Sequence, residues 1–432
     1  MSSNDQPVAP FPASLPPYSP SSNTPSYSTY PSANEQRLAS NGADFLYRRL
    51  APNAIFEKCH KRTGVSLTLF HQEDGASIPW YGRDAWIEGH VSLADSVHVE
   101  TVDVKLEGRL DLIIAEGGKK STSMLSNLSS LWRSSKLSDQ ACPHTLPFRI
   151  RMPSTFIEHD GLRPLPPTYD FICPGVPGLS VHSSYTIRII ITRARKFLWN
   201  STQQYVLKTD FIYYPRTRTT TPVMRTHLSF SSALKIAPEE YFQVECRVNT
   251  RTESALAPIN CNLFIPSSQA YAITESIPFH LHLAAPKPSL DALFPIDRGS
   301  SNNFSRAIST TNGRHRTIRV YLLRQIRVEV RGQRVWRTAV LGEGQLVGSP
   351  PQYDSDTTRS GHETCEAMDW DGTVQVTEKI DVGGFAVDNL VVKDFIVLEI
   401  TPPNPSTNPL LVTRHTHPIR LVTDTCEDIW DV

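Results

Sequence analysis

From Val65 onward the chain is built of short runs in which apolar and polar residues alternate, and no long amphipathic stretch separates one run from the next. The first set includes VSLTLF (65–70), AWIEGHVSL (85–93) and VHVETVDVKLEG (97–108), then runs at 146–152, 184–193 and 205–214. In the third run Val102, Val104 and Leu106 share one face while Asp103, Lys105 and Glu107 share the other, the period of a strand with one buried side. A second set starts near Thr226 with THLSFSSALKI, YFQVECRVN and IPFHLHL (277–283). It resumes with IRVYLLRQIRVEVRG (318–332), RVWRTAVL, GTVQVTEKI, FIVLEI and IRLV. Serial strands of this kind predict antiparallel sandwiches and exclude a parallel α/β sheet.

The length of 432 residues exceeds what one hydrophobic core usually organises, so two immunoglobulin-like antiparallel β-sandwich domains in tandem are expected. The 34 prolines must sit in tails, edges and connections, because proline blocks helix interiors and central strands. Residues 1–52, rich in Pro, Ser and Tyr, are too poor in aliphatic side chains to offset the entropy of ordering and are expected to be a disordered tail. The first sandwich is placed at 53–216, a hinge at 217–222 within the Arg/Thr run of 216–221, and the second sandwich at 223–432. Polar segments 116–144, 286–314 and 344–367 interrupt the strand rhythm and are expected to be long surface insertions.

Charge and cysteine content narrow the function classes. With 43 basic and 43 acidic side chains no bulk field draws the chain onto nucleic acid. The cysteines at 59, 142, 173, 246, 261, 365 and 426 are scattered, odd in number and never spaced CxxC, which predicts reduced thiols and neither a disulfide framework nor a zinc site. The first twenty residues lack a basic region followed by an apolar run, and no stretch approaches the roughly 20 apolar residues that cross a bilayer, so a cytoplasmic protein is expected.

Several segments, in order, resemble the arrestin fold family, in particular the alpha-arrestins or arrestin-related trafficking adaptors. They are Trp86-Ile87-Glu88-Gly89-His90-Val91-Ser92-Leu93, then Val102 through Gly108 read as a strand ending in an apolar-Gly turn, then Leu146-Pro147-Phe148-Arg149-Ile150. Leu165-Pro166-Pro167-Thr168-Tyr169, Ser184-Tyr185-Thr186-Ile187-Arg188-Ile189 and Ile277-Pro278-Phe279-His280-Leu281 continue the likeness, which covers roughly residues 53–425. The resemblance implies two sandwiches joined by a short hinge, no active site and no cofactor, and a role as an adaptor for cytoplasmic regions of membrane transporters or receptors at the plasma membrane or endosomes. The family often carries its ligase-binding motifs in a long tail after the second domain; no such tail is seen here.

Ser349-Pro350-Pro351-Gln352-Tyr353-Asp354 matches PPxY, the ligand of WW domains. Its prolines hold an extended left-handed helix in advance and dock between aromatic rings with little entropy loss, while Tyr353 fills a second groove. Leu15-Pro16-Pro17-Tyr18 fits the looser LPxY form, with Leu15, Pro16 and Tyr18 as its anchors, and Pro166-Pro167-Thr168-Tyr169 is a third match on the approach to a strand. A HECT-type ubiquitin ligase with several WW domains could engage two such segments at once. The plain-loop reading stands beside this one, as does a retromer-like structural sorting subunit that needs no WW ligand.

Two surface features remain. Arg324, Arg327 and Arg331, within a series from Arg314 to Arg337, are candidates for phosphate, phosphoinositide or cargo-tail binding through forked hydrogen bonds, against simple solvation of an exposed face. Met124, Leu128, Leu131 and Trp132 fall at helical spacing among Lys119, Lys120, Arg133 and Lys136, which predicts a short basic helix over 119–136 that lies on an anionic membrane or packs on a sheet edge. Catalytic signatures are missing: there is no GxxxxGK[ST], GxSxG or HExxH. His280 with His282, and His415 with His417, share strand faces without a third metal ligand in view, and Cys365 beside His362 and Glu363 has no orienting partner. A dispersed enzyme site in an all-β scaffold is the remaining rival.

Overall fold

A computed structural model describes residues 53–134, 141–158, 161–194, 202–223, 230–295, 317–347, 365–387 and 389–426. The described chain is almost entirely β, as the alternating runs predict. The first sandwich packs a sheet of order β1-β2-β4-β7 against one of order β3-β12-β11-β5-β6. The former comprises β1 (Ala54–His60), β2 (Val65–Gln72), β4 (Trp86–Leu93) and β7 (Thr145–Arg151). The latter comprises β3 (Trp80–Tyr81), β5 (Val99–Ile114), β6 (Gly118–Arg133), β11 (Leu179–Ala194) and β12 (Thr202–Tyr213). A hairpin of β8 (Thr155–Glu158) and β9 (Gly161–Pro164) stands apart, and β10 (Tyr169–Cys173) pairs with β11.

The second sandwich repeats the plan. One sheet has the order β13 (Tyr241–Val248), β14 (Ile259–Pro266), β16 (Ser276–Pro286), β20 (Cys365–Gln375) and β19 (Gln345–Val347). Its partner runs β15 (Ala270–Ala272), β23 (Thr413–Val422), β22 (Leu390–Ile400), β17 (Ile318–Val330) and β18 (Gln333–Glu343), with β21 (Phe385–Val387) beside β22. In each half a short strand, β3 or β15, pairs in parallel with that half's last strand, β12 or β23. Two seven-residue helices, α1 (Phe230–Ile236) and α2 (Lys287–Leu293), flank the second sandwich.

The expected faces are realised: Val102, Val104 and Leu106 on β5 are buried and meet Leu67, Leu69, Ile87 and Val91 of the opposing sheet in one core. Gly108 does not end its strand in a turn as the motif implied; β5 continues to Ile114. The glycine is required where it is because a Cβ there would lie 2.7 Å from a ring carbon of Tyr185. The hairpin between β17 and β18 turns on Arg331 and Gly332, both at positive φ (51° and 79°), the backbone of a two-residue turn matched to strand twist.

Three expectations are corrected. The stretch 119–136, predicted as a basic helix within an insertion, is through Arg133 part of the edge strand β6, hydrogen-bonded along its length to β5. The helical spacing of its apolar residues is an accident of two register shifts, opposite Val102/Asp103 and Gly108/Arg109, which let Met124 and Leu125 be buried in succession. The run THLSFSSALKI, expected to open the second set of strands, contains α1, whose Phe230 lies against Tyr241 and Phe264. The segment predicted as insertion 286–314 opens with α2.

The two sandwiches share one hydrophobic cluster. Ile326, Val328, Val330 and Val335 of the β17–β18 hairpin, with Leu390 and Val392 of β22, join the core of the first sandwich. The Arg337 guanidinium donates to the Pro177 carbonyl, and the Arg331 guanidinium lies over Gly118 in the β5–β6 turn. The segment read as a hinge is tied down: Thr217 N–H donates to Thr423 Oγ1 (2.8 Å), and the Thr217 carbonyl accepts from Thr423 Oγ1 (2.9 Å) and Asp424 N–H (3.0 Å).

Candidate functional site

A cavity of about 1020 Å³ opens on the second sandwich, walled by Thr220 to Pro222 after the first sandwich, Phe230 of α1, and the ends of β13, β14, β16 and β20. Its chemistry comes from strand register. β16 places Ile277, Phe279, Leu281 and Leu283 into the core, so Pro278, His280 and His282 face outward. β20 runs antiparallel beside it and sets Asp371 opposite His280 and Asp369 opposite His282.

The result is a ladder of two imidazoles and two carboxylates. His280 Nδ1 lies 2.8 Å from Asp371 Oδ1 and its Nε2 3.0 Å from Asp369 Oδ1, while His282 Nδ1 lies 2.7 Å from the same Asp369 oxygen. Ionised carboxylates only accept, so both His280 contacts are satisfied when each ring nitrogen carries a proton. Phe230 stacks flat on the ring at 3.8 Å and 8°, which buries His280 although it sits on an outer face. Hydrogen bonds from His280 and His282 hold the Asp369 carboxyl well below the usual range, and Asp369 in turn raises His282 against the opposing effect of burial. Of the ladder, His280 and Asp371 line the cavity, and Glu240, Ser267, Ser276, Thr373, Tyr241 and Phe279 line it with them. No group of three or more potential metal ligands with suitable geometry occurs among the described residues.

Both WW-ligand candidates on which the functional expectation rests, Pro350-Pro351-Gln352-Tyr353 and Leu15-Pro16-Pro17-Tyr18, lie outside the described residues, as do Arg314, Arg316, His362 and Glu363. What flanks the first motif is described. Residues 348–364 connect β19 to β20, and Gln345, Leu346 and Val347 pair with Thr373, Gly372 and Asp371, three residues of the cavity wall. The third match is structural in its surroundings: Leu165, Pro166 and Pro167 are buried, the Tyr185 hydroxyl donates to the Pro166 carbonyl at 2.6 Å, and Tyr213 N–H donates to Thr168 Oγ1 at 2.8 Å.

The arginine candidates separate. Arg327 and Arg331 are exposed. Arg324 is not available to a ligand, which corrects its assignment to a binding row: its Nε donates to Asp394 Oδ1 (2.7 Å) and its Nη2 to Asp394 Oδ2 (3.1 Å) and the Val382 carbonyl (2.9 Å). Tyr169 of the first sandwich reaches this pair with its hydroxyl and sets its ring edge-on against Phe385 at 5.2 Å. Parity along β17 carried the signal, since Arg324 has the phase of Ile326 and Val328 and opposes that of Arg327. Arg319 and Arg334 are engaged by Glu343 and Glu329. His417 meets Gln269 Oε1 at 2.9 Å.

The sequence matches no family model and no curated relative. No helix among the described residues is long and apolar enough to cross a membrane.

Proposed function

We propose that the protein is a non-catalytic, arrestin-like adaptor that binds cytoplasmic segments of membrane-protein cargo and recruits a WW-domain HECT-type ubiquitin ligase, promoting ubiquitination and endocytic trafficking of the cargo. One observation carries the reading: the connection that bears Pro350, Pro351 and Tyr353 leaves β19 beside Asp371, Gly372 and Thr373, so a ligase ligand and a polar, aromatic-lined cavity share strand neighbours. The carboxylates of Glu240 and Asp371, with Tyr241 and Pro278, suit an extended cargo segment carrying basic and apolar side chains. The work done is proximity: cargo and ligase are held at high effective concentration and this chain makes or breaks no bond.

Binding of a purified tandem WW module to the full chain tests the reading. Tyr353→Ala is expected to weaken capture at least tenfold, and Tyr353→Ala with Tyr18→Ala to abolish it. Absence of binding, or binding indifferent to both changes, removes ligase recruitment and favours the sorting-subunit alternative.

A further inference from the structure

Fifteen positions of sequence separate Cys246 from Cys261, yet the hairpin register of β13 and β14 sets the two residues directly opposite each other. Both belong to the inward phase of their strands: Val244 and Val248 flank Cys246, and Ile259 and Leu263 flank Cys261, all buried. Cys261 is fully buried, while Cys246 is half-buried on β13, the strand at the sheet's edge. We infer that Cys246 and Cys261 form a peroxide-sensitive dithiol, closing to a reversible cross-strand disulfide within the second sandwich.

Geometry permits the bond. Opposed residues of an antiparallel pair have Cα atoms about 4.5 to 5.5 Å apart, inside the disulfide range of roughly 4.4 to 6.8 Å. Their Cβ atoms sit about 4.5 to 5.5 Å apart against roughly 3.5 to 4.5 Å in a disulfide, so closure draws the strands together by about 1 Å. β13 is paired on one side only and can make that movement. A disulfide that pinches a sheet in this way is strained and returns readily to thiols.

The two sulfurs differ in role. The neighbouring Cys261 lowers the Cys246 pKa against the opposing effect of burial, while Cys246 and then burial raise that of Cys261, whose thiol donates to the Ile259 carbonyl at 3.6 Å. Cys246, the more accessible sulfur, is therefore the nucleophile and Cys261 the resolving thiol. With hydrogen peroxide as oxidant, the Cys246 thiolate attacks one peroxide oxygen, the O–O bond breaks, and the departing hydroxide takes a proton to leave as water. Cys246 is then a sulfenic acid. The Cys261 sulfur attacks the Cys246 sulfur, the S–O bond breaks, and the hydroxyl leaves as water with the Cys261 proton. Two thiols lose two electrons and one peroxide becomes two waters; a small dithiol reverses the change.

The test treats the native full chain with hydrogen peroxide, blocks remaining thiols with N-ethylmaleimide in denaturant, and maps peptides without reduction. The exposed Cys59 and Cys365 report that the oxidant acted. Expected is a peptide pair joined through Cys246 and Cys261, lost after dithiothreitol. In Cys261→Ser the sulfenic acid is expected to persist on Cys246 and to be captured by dimedone. Recovery of both Cys246 and Cys261 as maleimide adducts, in a sample whose Cys59 or Cys365 is oxidised, overturns the inference. The outcome is independent of WW binding.

Discussion

Arg324 and Asp394 occupy directly paired positions of β17 and β22, so strand register alone brings a guanidinium fork onto a carboxylate. The pair lies on the inward phase of both strands, with side chains 3% and 1% exposed, and a tyrosine from the other sandwich closes over it.

Removing one member leaves the other charge buried without its partner. Arg324→Met or Asp394→Leu is expected to cost about 3 to 5 kcal/mol, read as a shift in the urea unfolding midpoint. The double variant is expected to recover most of that loss, because an apolar pair in the same space has no stranded charge. Additive losses in the double variant would show that the pair does not act as a unit.

The ladder at the cavity makes a pH prediction. Asp369 is depressed by hydrogen bonds from His280 and then His282, so its contribution to stability is present above the unfolded carboxylate value and fades as pH falls toward the lower folded value. His282 is raised by Asp369, so its contribution is complete below 6.5 and is lost as pH rises through the elevated folded value. The stabilising effect of Asp369 relative to Asp369→Asn is therefore expected to be largest between about pH 5 and 6.5 and to shrink toward alkaline pH. An NMR titration checks the cause: the His282 midpoint should lie above 6.5 in the wild type and drop in Asp369→Asn, where burial still acts and the carboxylate does not.

How much of this could be seen in the chain depends on what each residue's neighbours are. Strands such as β5 were legible because alternation is a local signal, and Val102, Val104 and Leu106 display it without interruption. β6 was not, since an edge strand buries little and its bulges replace alternation with a spacing that mimics a helix. Charged residues hid the site itself: the parity that sends Arg324 inward is written in the sequence, but its partner Asp394 is on another strand. The His280–Asp371 and Cys246–Cys261 pairs are equally products of strand order, which no spacing rule within one strand encodes.

Gly89 tests the close approach of two strands in the first sandwich. A Cβ at this position would stand 2.0 Å from the Thr68 carbonyl oxygen, and that oxygen belongs to the backbone of β2 and cannot swing aside. Gly89→Ala is expected to destabilise the protein by about 1 to 3 kcal/mol in urea unfolding, the scale of overpacking in a filled core. A neutral substitution would mean that β2 and β4 can separate freely.

Tyr169 separates a motif from its pattern. Pro166-Pro167-Thr168-Tyr169 satisfies PPxY, yet its prolines are buried and its tyrosine ring packs on Phe385 with the hydroxyl at Arg324. A WW domain needs both prolines and the tyrosine free to enter its grooves, and here the prolines are buried in the first sandwich while the tyrosine packs against the second. Tyr169→Ala is therefore expected to leave WW capture within twofold of wild type while lowering the unfolding midpoint, with a loss of about 3 kcal/mol or more for a large aromatic removed from a packed contact. Tyr353→Ala should do the reverse, weakening capture at least tenfold with stability unchanged. Measured side by side on the full chain, equal effects of the two substitutions on WW capture would show that the segment ahead of β10 detaches to bind, and the contact with Arg324 and Phe385 would then be a transient one.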